Sequence, residues 1–209
     1  STKRYKKFFI LVNNFLRGLK MKHYPVKLKI DYPEKSNKLT AMFRLVLIIP
    51  IVIILSFISS YAEALSLAVV LMILFREKYP KWWFDWNVGI TKFIYRIAAY
   101  GLLMRDEYPS TETDQAVQVE LPYPDVNKDL NRWMPLVKWF LAIPHFIALV
   151  FMFIAVVFCT IFAWFAILFT GRYPRGIFDF VEGFLRWSLR VNAYAFLLTT
   201  DQYPPFKLF

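Results

Sequence analysis

Residues 44–105 lie over residues 138–199 at a single offset of 94 with no gap, and this internal duplication constrains the fold more than any other feature. Pro50 and Pro144 set the register, as do Tyr79-Pro80 and Tyr173-Pro174. Apolar matches such as Leu47/Leu141, Ile53/Ile147 and Ile73-Leu74-Phe75 over Ile167-Leu168-Phe169 can arise from shared hydrophobicity alone. Phe84-Asp85 over Phe178-Asp179, Gly89/Gly183, Arg96/Arg190 and Ala99-Tyr100 over Ala193-Tyr194 cannot, and Leu103/Leu197 extends the match. Tyr108-Pro109 follows Tyr203-Pro204 one residue out of step, and residues 26–33 (VKLKIDYP) resemble 117–124 (VQVELPYP). The chain divides into a basic amphipathic segment over 1–22, a first repeat unit over 23–112 and a second over 113–209.

Each unit opens with an alternation, Val26, Leu28, Ile30 in one and Val117, Val119, Leu121 in the other. Period two predicts a short half-buried strand per unit, and the two strands can pair outside the membrane. A hydrophobic stretch follows. Residues 45–75 are interrupted by Ser56, Ser59, Ser60, Glu63 and Ser66, and residues 139–170 almost nowhere. One span needs about 20 residues, so each stretch is too long for a single straight span. With polar flanks added, 38–78 has the length for a transmembrane or re-entrant helical hairpin turning near Ser59-Ser60-Tyr61. Arg44, Arg76, Lys78 and Lys81 lie near its open end and no Lys or Arg near its tip, which places the open ends, polar segments and termini in the cytoplasm. One long tilted or kinked helix per unit is the alternative, and it would point the two copies in opposite directions. Pro50 and Pro144 predict bends, and Glu63 is expected as an exposed tip residue.

After each Tyr-Pro an amphipathic helix of about twenty residues is expected in the interface plane. Glu182, Arg186 and Arg190 recur every four positions on one stripe, with Val88, Lys92 and Arg96 as their first-copy counterparts. Trp82, Trp83, Trp86 and Tyr95 suit head-group depth. In the N-terminal segment, Lys3, Arg4, Lys6 and Lys7 precede Phe8, Phe15, Leu16 and Leu19, a pattern expected for a retained interfacial anchor. The fold class is therefore a mainly α membrane protein built as a tandem duplication, each unit a strand, a helical hairpin and an interfacial helix.

Composition narrows the function. The chain is 58% hydrophobic and 20% aromatic, above the roughly 45–50% apolar share of soluble domains, so lipid is the expected cover. A net charge of +11 placed beside apolar segments points to anionic head groups rather than nucleic acid. Cys159 is the single cysteine, and His23 and His145 stand far apart, so no metal ligand set is formed. No nucleophile triad or phosphate loop is present, and Asp85 and Asp179 each sit where an acid complements a helix dipole. No catalytic residue and no cofactor is expected.

The stretch running from Tyr173-Pro174 through Phe178-Asp179, Gly183, Arg186-Trp187, Arg190, Ala193-Tyr194 and Asp201 to Tyr203-Pro204-Pro205-Phe206 resembles the repeated core of the bacterial and archaeal membrane family catalogued as domain of unknown function 4389. The first copy departs from that pattern with Lys92, Phe93 and Ser110. The resemblance implies a bacterial or archaeal cytoplasmic (inner) membrane protein and carries no activity with it. The expected function is that of a non-catalytic accessory or scaffold subunit or a lipid-interacting module, with a small-solute transporter or channel component as the alternative. Lipid head groups and other membrane subunits, or further copies of the chain, are the expected partners. Arg186, Arg190, Arg96, Lys92, Trp187, Tyr194 and Tyr100 are the expected contact residues.

Overall fold

The computed structural model describes residues 24–126, 130–131 and 133–208, without the side chains of 58–66. The anchor expected over 1–22 lies outside the described residues. In chain order the elements are β1 (Lys27–Ile30), α1 (Lys38–Leu47), α2 (Ile49–Arg76), α3 (Lys81–Gly101), β2 (Val117–Glu120), α4 (Met134–Thr170) and α5 (Arg175–Ala195).

The expected hairpin within each hydrophobic stretch is not what forms. The backbone runs as helix through 59–61 in α2 and through all of α4, so Glu63 stands inside a helix and not on a turn. The reason is local. No Gly, Pro, Asn or Asp occurs between Ser56 and Arg76, so nothing stops the helix. Two polar side chains are absorbed within the helices: the Ser56 hydroxyl donates to the Ile53 carbonyl at 2.7 Å and Thr160 to Val156 at 2.8 Å. The turn comes later, where Glu77 (φ 48°) and its counterpart Gly171 (φ 71°) adopt the left-handed cap that ends a helix.

From that cap the amphipathic helix folds back along the long one. In the second unit Phe178 and Val181 pack with Ala163 and Ile167, Phe184 lies 6.2 Å from Phe153, and Trp139 Nε1 reaches the Ala195 carbonyl at 3.0 Å. The hairpin in each unit is thus made of the long helix and the amphipathic helix. Its buried stripe on α4, through Lys138, Ala142, His145, Val156, Ala163 and Ile167, keeps to the three-and-four spacing of one helix face. The prolines act differently in the two copies. Pro50 follows a break at Ile48 where α1 and α2 bend by 40°, whereas Pro144 sits inside the unbroken α4.

The two units are related by a pseudo-twofold axis. The strands pair antiparallel with Leu28 opposite Val119, and these two residues are repeat equivalents, so the axis passes between them. Tyr32 donates to the Tyr173 carbonyl and its equivalent Tyr123 to the Tyr79 carbonyl. Ser36 N reaches Gly171 O at 2.9 Å and Trp164 Nε1 reaches Ala41 O at 3.0 Å, so α1 begins beside the end of α4 and the long helices run antiparallel. The ribbon packs on α3 and α5, and these pack on the long helices, giving three layers.

The axis also corrects the sequence register. Leu103 (φ 64°) and Leu198 (φ 55°) share the rare left-handed conformation, so Leu103 matches Leu198 and not Leu197. The extra residue sits just past the end of α5. Leu198 inserts among Val69, Ile73, Tyr79 and Phe84 of the first unit, and Leu103 belongs to the cluster that holds the equivalents Ala163, Ile167, Tyr173 and Phe178 of the second.

Candidate functional site

The residues singled out by the arginine stripe do not gather into one open site. Arg186 pairs with Glu182 at 3.0 Å and donates from Nε to the Leu28 carbonyl at 3.2 Å, while Glu182 accepts from Ile30 N at 3.0 Å. Together they cap the outer edge of β1. Arg190 is 7% exposed; it donates to the Lys207 and Arg186 carbonyls, and its own carbonyl accepts from Tyr24. Burial, and after it the Arg186 charge, pull the Arg190 pKa down, but a guanidinium keeps its proton. Arg96 donates to the Ser110 carbonyl. Lys92 is exposed, and with Val88 it occupies the positions in α3 that Arg186 and Glu182 hold in α5. Arg186→Ala is accordingly expected to lower unfolding stability by about 1–3 kcal/mol and Lys92→Ala by no more than about 0.5 kcal/mol, measured by chemical denaturation in detergent.

Trp187, Tyr194 and Tyr100 are buried and belong to three internal assemblies that the sequence reading missed. In the first unit Arg44, only 2% exposed, lies 4.0 Å above the Tyr100 ring, pairs with Asp106 and donates to the Arg105 carbonyl at 2.9 Å. In the second, Lys138, fully buried, lies 5.3 Å from the Tyr194 ring, pairs with Asp201 at 2.7 Å and donates to the Thr200 carbonyl at 2.9 Å. The second oxygen of each aspartate accepts a backbone N–H, Asn37 to Asp106 at 2.7 Å and Asn131 to Asp201 at 2.5 Å. Every member has its repeat equivalent in place. The assembly ties the start of the long helix to the segment that follows the amphipathic helix, and the closing Asp-x-Tyr-Pro of the motif supplies its acid.

A third assembly exists in the second unit alone. His145 Nδ1 accepts from Trp187 Nε1 at 3.1 Å, and the imidazole stacks on Phe206 at 3.9 Å with Tyr203 4.8 Å away. The acceptor role of Nδ1 places the ring proton on Nε2, the neutral tautomer. Ile51 and Phe93 occupy the equivalent positions in the first unit, so the Arg-Trp and Pro-Pro-Phe elements of the motif are packing elements of one copy. Gly183 admits the segment at Leu208, since a Cβ there would stand 3.1 Å from it.

What remains open on the surface is apolar. Phe140, Phe151, Phe162 and Phe169 on α4 are 72%, 69%, 68% and 80% exposed, and Leu45, Phe57 and Phe75 of the first unit 82%, 68% and 70%. Isolated exposed apolar residues are ordinary, but a contiguous face of this extent marks an interaction surface. Met134–Thr170 is long and apolar enough to cross a membrane, with only 11% of its most apolar window buried, which separates it from the core helix of a soluble protein. An apolar cavity of about 310 Å³ opens between the units, lined by Ala41, Arg44, Leu45, Gly101, Leu103, Thr160, Ile161, Trp164 and Phe165. Arg44 Nε is without a hydrogen-bond partner among the described residues, as are Arg96 Nε and Arg105 Nε. In the other unit Trp139 stands where Leu45 does and Ala195 where Gly101 does. Among the described residues, no group of three or more His, Cys, Asp and Glu is placed to hold a metal ion.

No curated protein and no solved structure matches the chain. A family model does, twice in tandem, over residues 38–111 and 132–207, so that the buried cations Arg44 and Lys138, their aspartates and the tyrosines beside them fall inside the matched regions. The chain belongs to the family described as domain of unknown function DUF4389.

Proposed function

We propose that this chain is a non-catalytic membrane protein, a lipid-interacting module that serves as an accessory or scaffold subunit. The observation that carries the reading is the unpartnered apolar face of α4 and its first-unit counterpart, which lipid covers at no cost in exposed hydrocarbon. The same reading accounts for the polar chemistry. Arg44, Lys138, His145 and Arg190 are turned inward and engaged in holding the fold. The cavity beside Arg44 has the size and lining of a small apolar ligand site, suited to an acyl chain. Lys92 is the residue from the original contact set that is exposed and able to meet head groups.

In membranes of producing cells the protein is expected to stay with the pellet through an alkaline carbonate wash and to leave it in mild detergent. Release by carbonate alone would end the membrane reading. The scaffold role is tested by what travels with the protein after that extraction: a fixed stoichiometry with a larger membrane complex supports it, and purification as the bare chain refutes it.

The second reading, a component of a small-solute transporter, draws on the inverted relation of the repeats, which carriers share. Against it stands the closure of the Arg44, Lys138 and Arg190 charges on other parts of the chain instead of on a pathway. Solute flux in liposomes containing the pure protein would establish this reading over the first.

A further inference from the structure

We propose that the protein lies flat in one leaflet, with both long helices parallel to the membrane plane, their apolar faces among the acyl chains and the β-ribbon in water. The proposal rests on the membrane reading above, and adds to it which surface meets lipid and in what orientation.

Length is the first argument. Exposed phenylalanines run from Phe140 to Phe169, and at about 1.5 Å per residue that stretch is roughly 44 Å long. A hydrocarbon core of about 30 Å would accept it only at a tilt of roughly 45–50°, beyond the range of about 0–40° that spanning helices adopt. Lying in the plane removes the mismatch.

The second argument is where the charges are. Arg186 and Glu182 bind the outer edge of β1 in the middle of α5, and Phe184 beside them is level with Phe153 near the midpoint of α4. The ribbon therefore crosses the molecule at half the height of the long helix. Its outward face carries Lys27, Lys29 and Glu120, with side chains 55%, 69% and 66% exposed. If the long helices spanned the bilayer, those charges would sit at its centre against lipid, where ionised groups are strongly disfavoured. Rotated by a right angle, the same charges face water.

Symmetry then completes the picture. The pseudo-twofold passes between Leu28 and Val119 and the long helices run antiparallel across it, so an axis along the membrane normal gives both units the same face to lipid. The layers stack along that axis as ribbon, then α3 with α5, then the long helices. An interfacial helix sinks about 5–10 Å and a helix is about 10–12 Å thick, so immersion of one layer leaves the charged ribbon outside.

The test uses the full chain with Cys159→Ala as background and single cysteines at exposed positions, in sealed membrane vesicles of a producing bacterium treated with a membrane-impermeant maleimide. Lys78 and Arg172 follow the ends of α2 and α4 and so mark opposite ends of the antiparallel pair. Lys29→Cys, Lys78→Cys and Arg172→Cys are all expected to react in the same vesicle orientation, with Phe151→Cys and Phe162→Cys at least about tenfold slower until detergent is added. Reaction of Lys78→Cys and Arg172→Cys from opposite sides, with Lys29→Cys protected, would overturn flat seating and leave the membrane reading intact. Reaction of Phe162→Cys as fast as Lys29→Cys would overturn both.

Discussion

Asp201→Ala is expected to destabilise the fold by about 3–5 kcal/mol, whereas Lys138→Met at the other end of the same ion pair costs no more than about 1–2 kcal/mol. The asymmetry follows from burial. Lys138 is fully buried, while the Asp201 side chain is 21% exposed and keeps its hydrogen bond from Asn131 N at 2.5 Å. Removing the acid strands an ammonium with only the Thr200 carbonyl and the Tyr194 face for company, and an uncompensated buried charge is the costly half of such a pair. Removing the lysine leaves a carboxylate with water and a backbone N–H, and methionine refills the stem volume. Asp106→Ala is expected to repeat the effect in the first unit, where the Arg44 side chain is 3% exposed against 28% for that of Asp106. Thermal or denaturant unfolding in one detergent, followed by circular dichroism, measures the difference; equal losses for Asp201→Ala and Lys138→Met would show that the pair does not anchor the long helix.

Much of the architecture was legible in the sequence because a duplication repeats every local signal. The strands over residues 27–30 and 117–120, their pairing, and the amphipathic helices after each Tyr-Pro all follow from period and register, and the structure has them. The helical hairpin was misplaced for a physical reason. Spare length suggests room for a turn at Ser59-Ser60-Tyr61, but length does not end a helix; the left-handed cap at Glu77 and Gly171 does. That correction also removes a conflict over charge. A single long helix per unit appeared to demand opposite orientations across the bilayer, which basic flanks in both copies contradict. Antiparallel helices lying in the plane satisfy both.

The buried cations escaped notice because they carry no local signature. Arg44 and Lys138 differ in residue type and stand at the polar edges of apolar stretches, where a positive charge reads as a membrane flank. Their partners Asp106 and Asp201 lie 62 and 63 positions away, beyond any window of periodicity. The one usable hint was that Asp-x-Tyr-Pro survives in both copies while its surroundings drift. The arginine stripe misled in the opposite sense. Spacing of four places Glu182, Arg186 and Arg190 on one face but does not say what covers that face, and a strand from the other unit does.

That exchange between units sets the other large expected effect, at Leu103 and Leu198. Each is truncated to alanine with a loss of about 3–5 kcal/mol, the upper part of the range for buried leucine, since Leu198 is fully buried and Leu103 is 4% exposed. Both hold a left-handed backbone that a branched side chain resists by about 1–2 kcal/mol. A strained conformation persists only where its surroundings over-determine it, and here the surroundings belong to the opposite repeat: Val69, Ile73, Tyr79 and Phe84 enclose Leu198. A glycine at either position separates the two contributions. It relieves the backbone strain and still leaves the cavity, so Leu198→Gly is expected to be less damaging than Leu198→Ala, the reverse of the usual order for these residues in ordinary backbone. Because each leucine completes the other unit's core, either substitution is expected to lower the unfolding midpoint of the whole chain in one transition. Two separated transitions in the Leu198→Ala protein would show instead that the repeats fold independently, and that the interlock across the twofold contributes little.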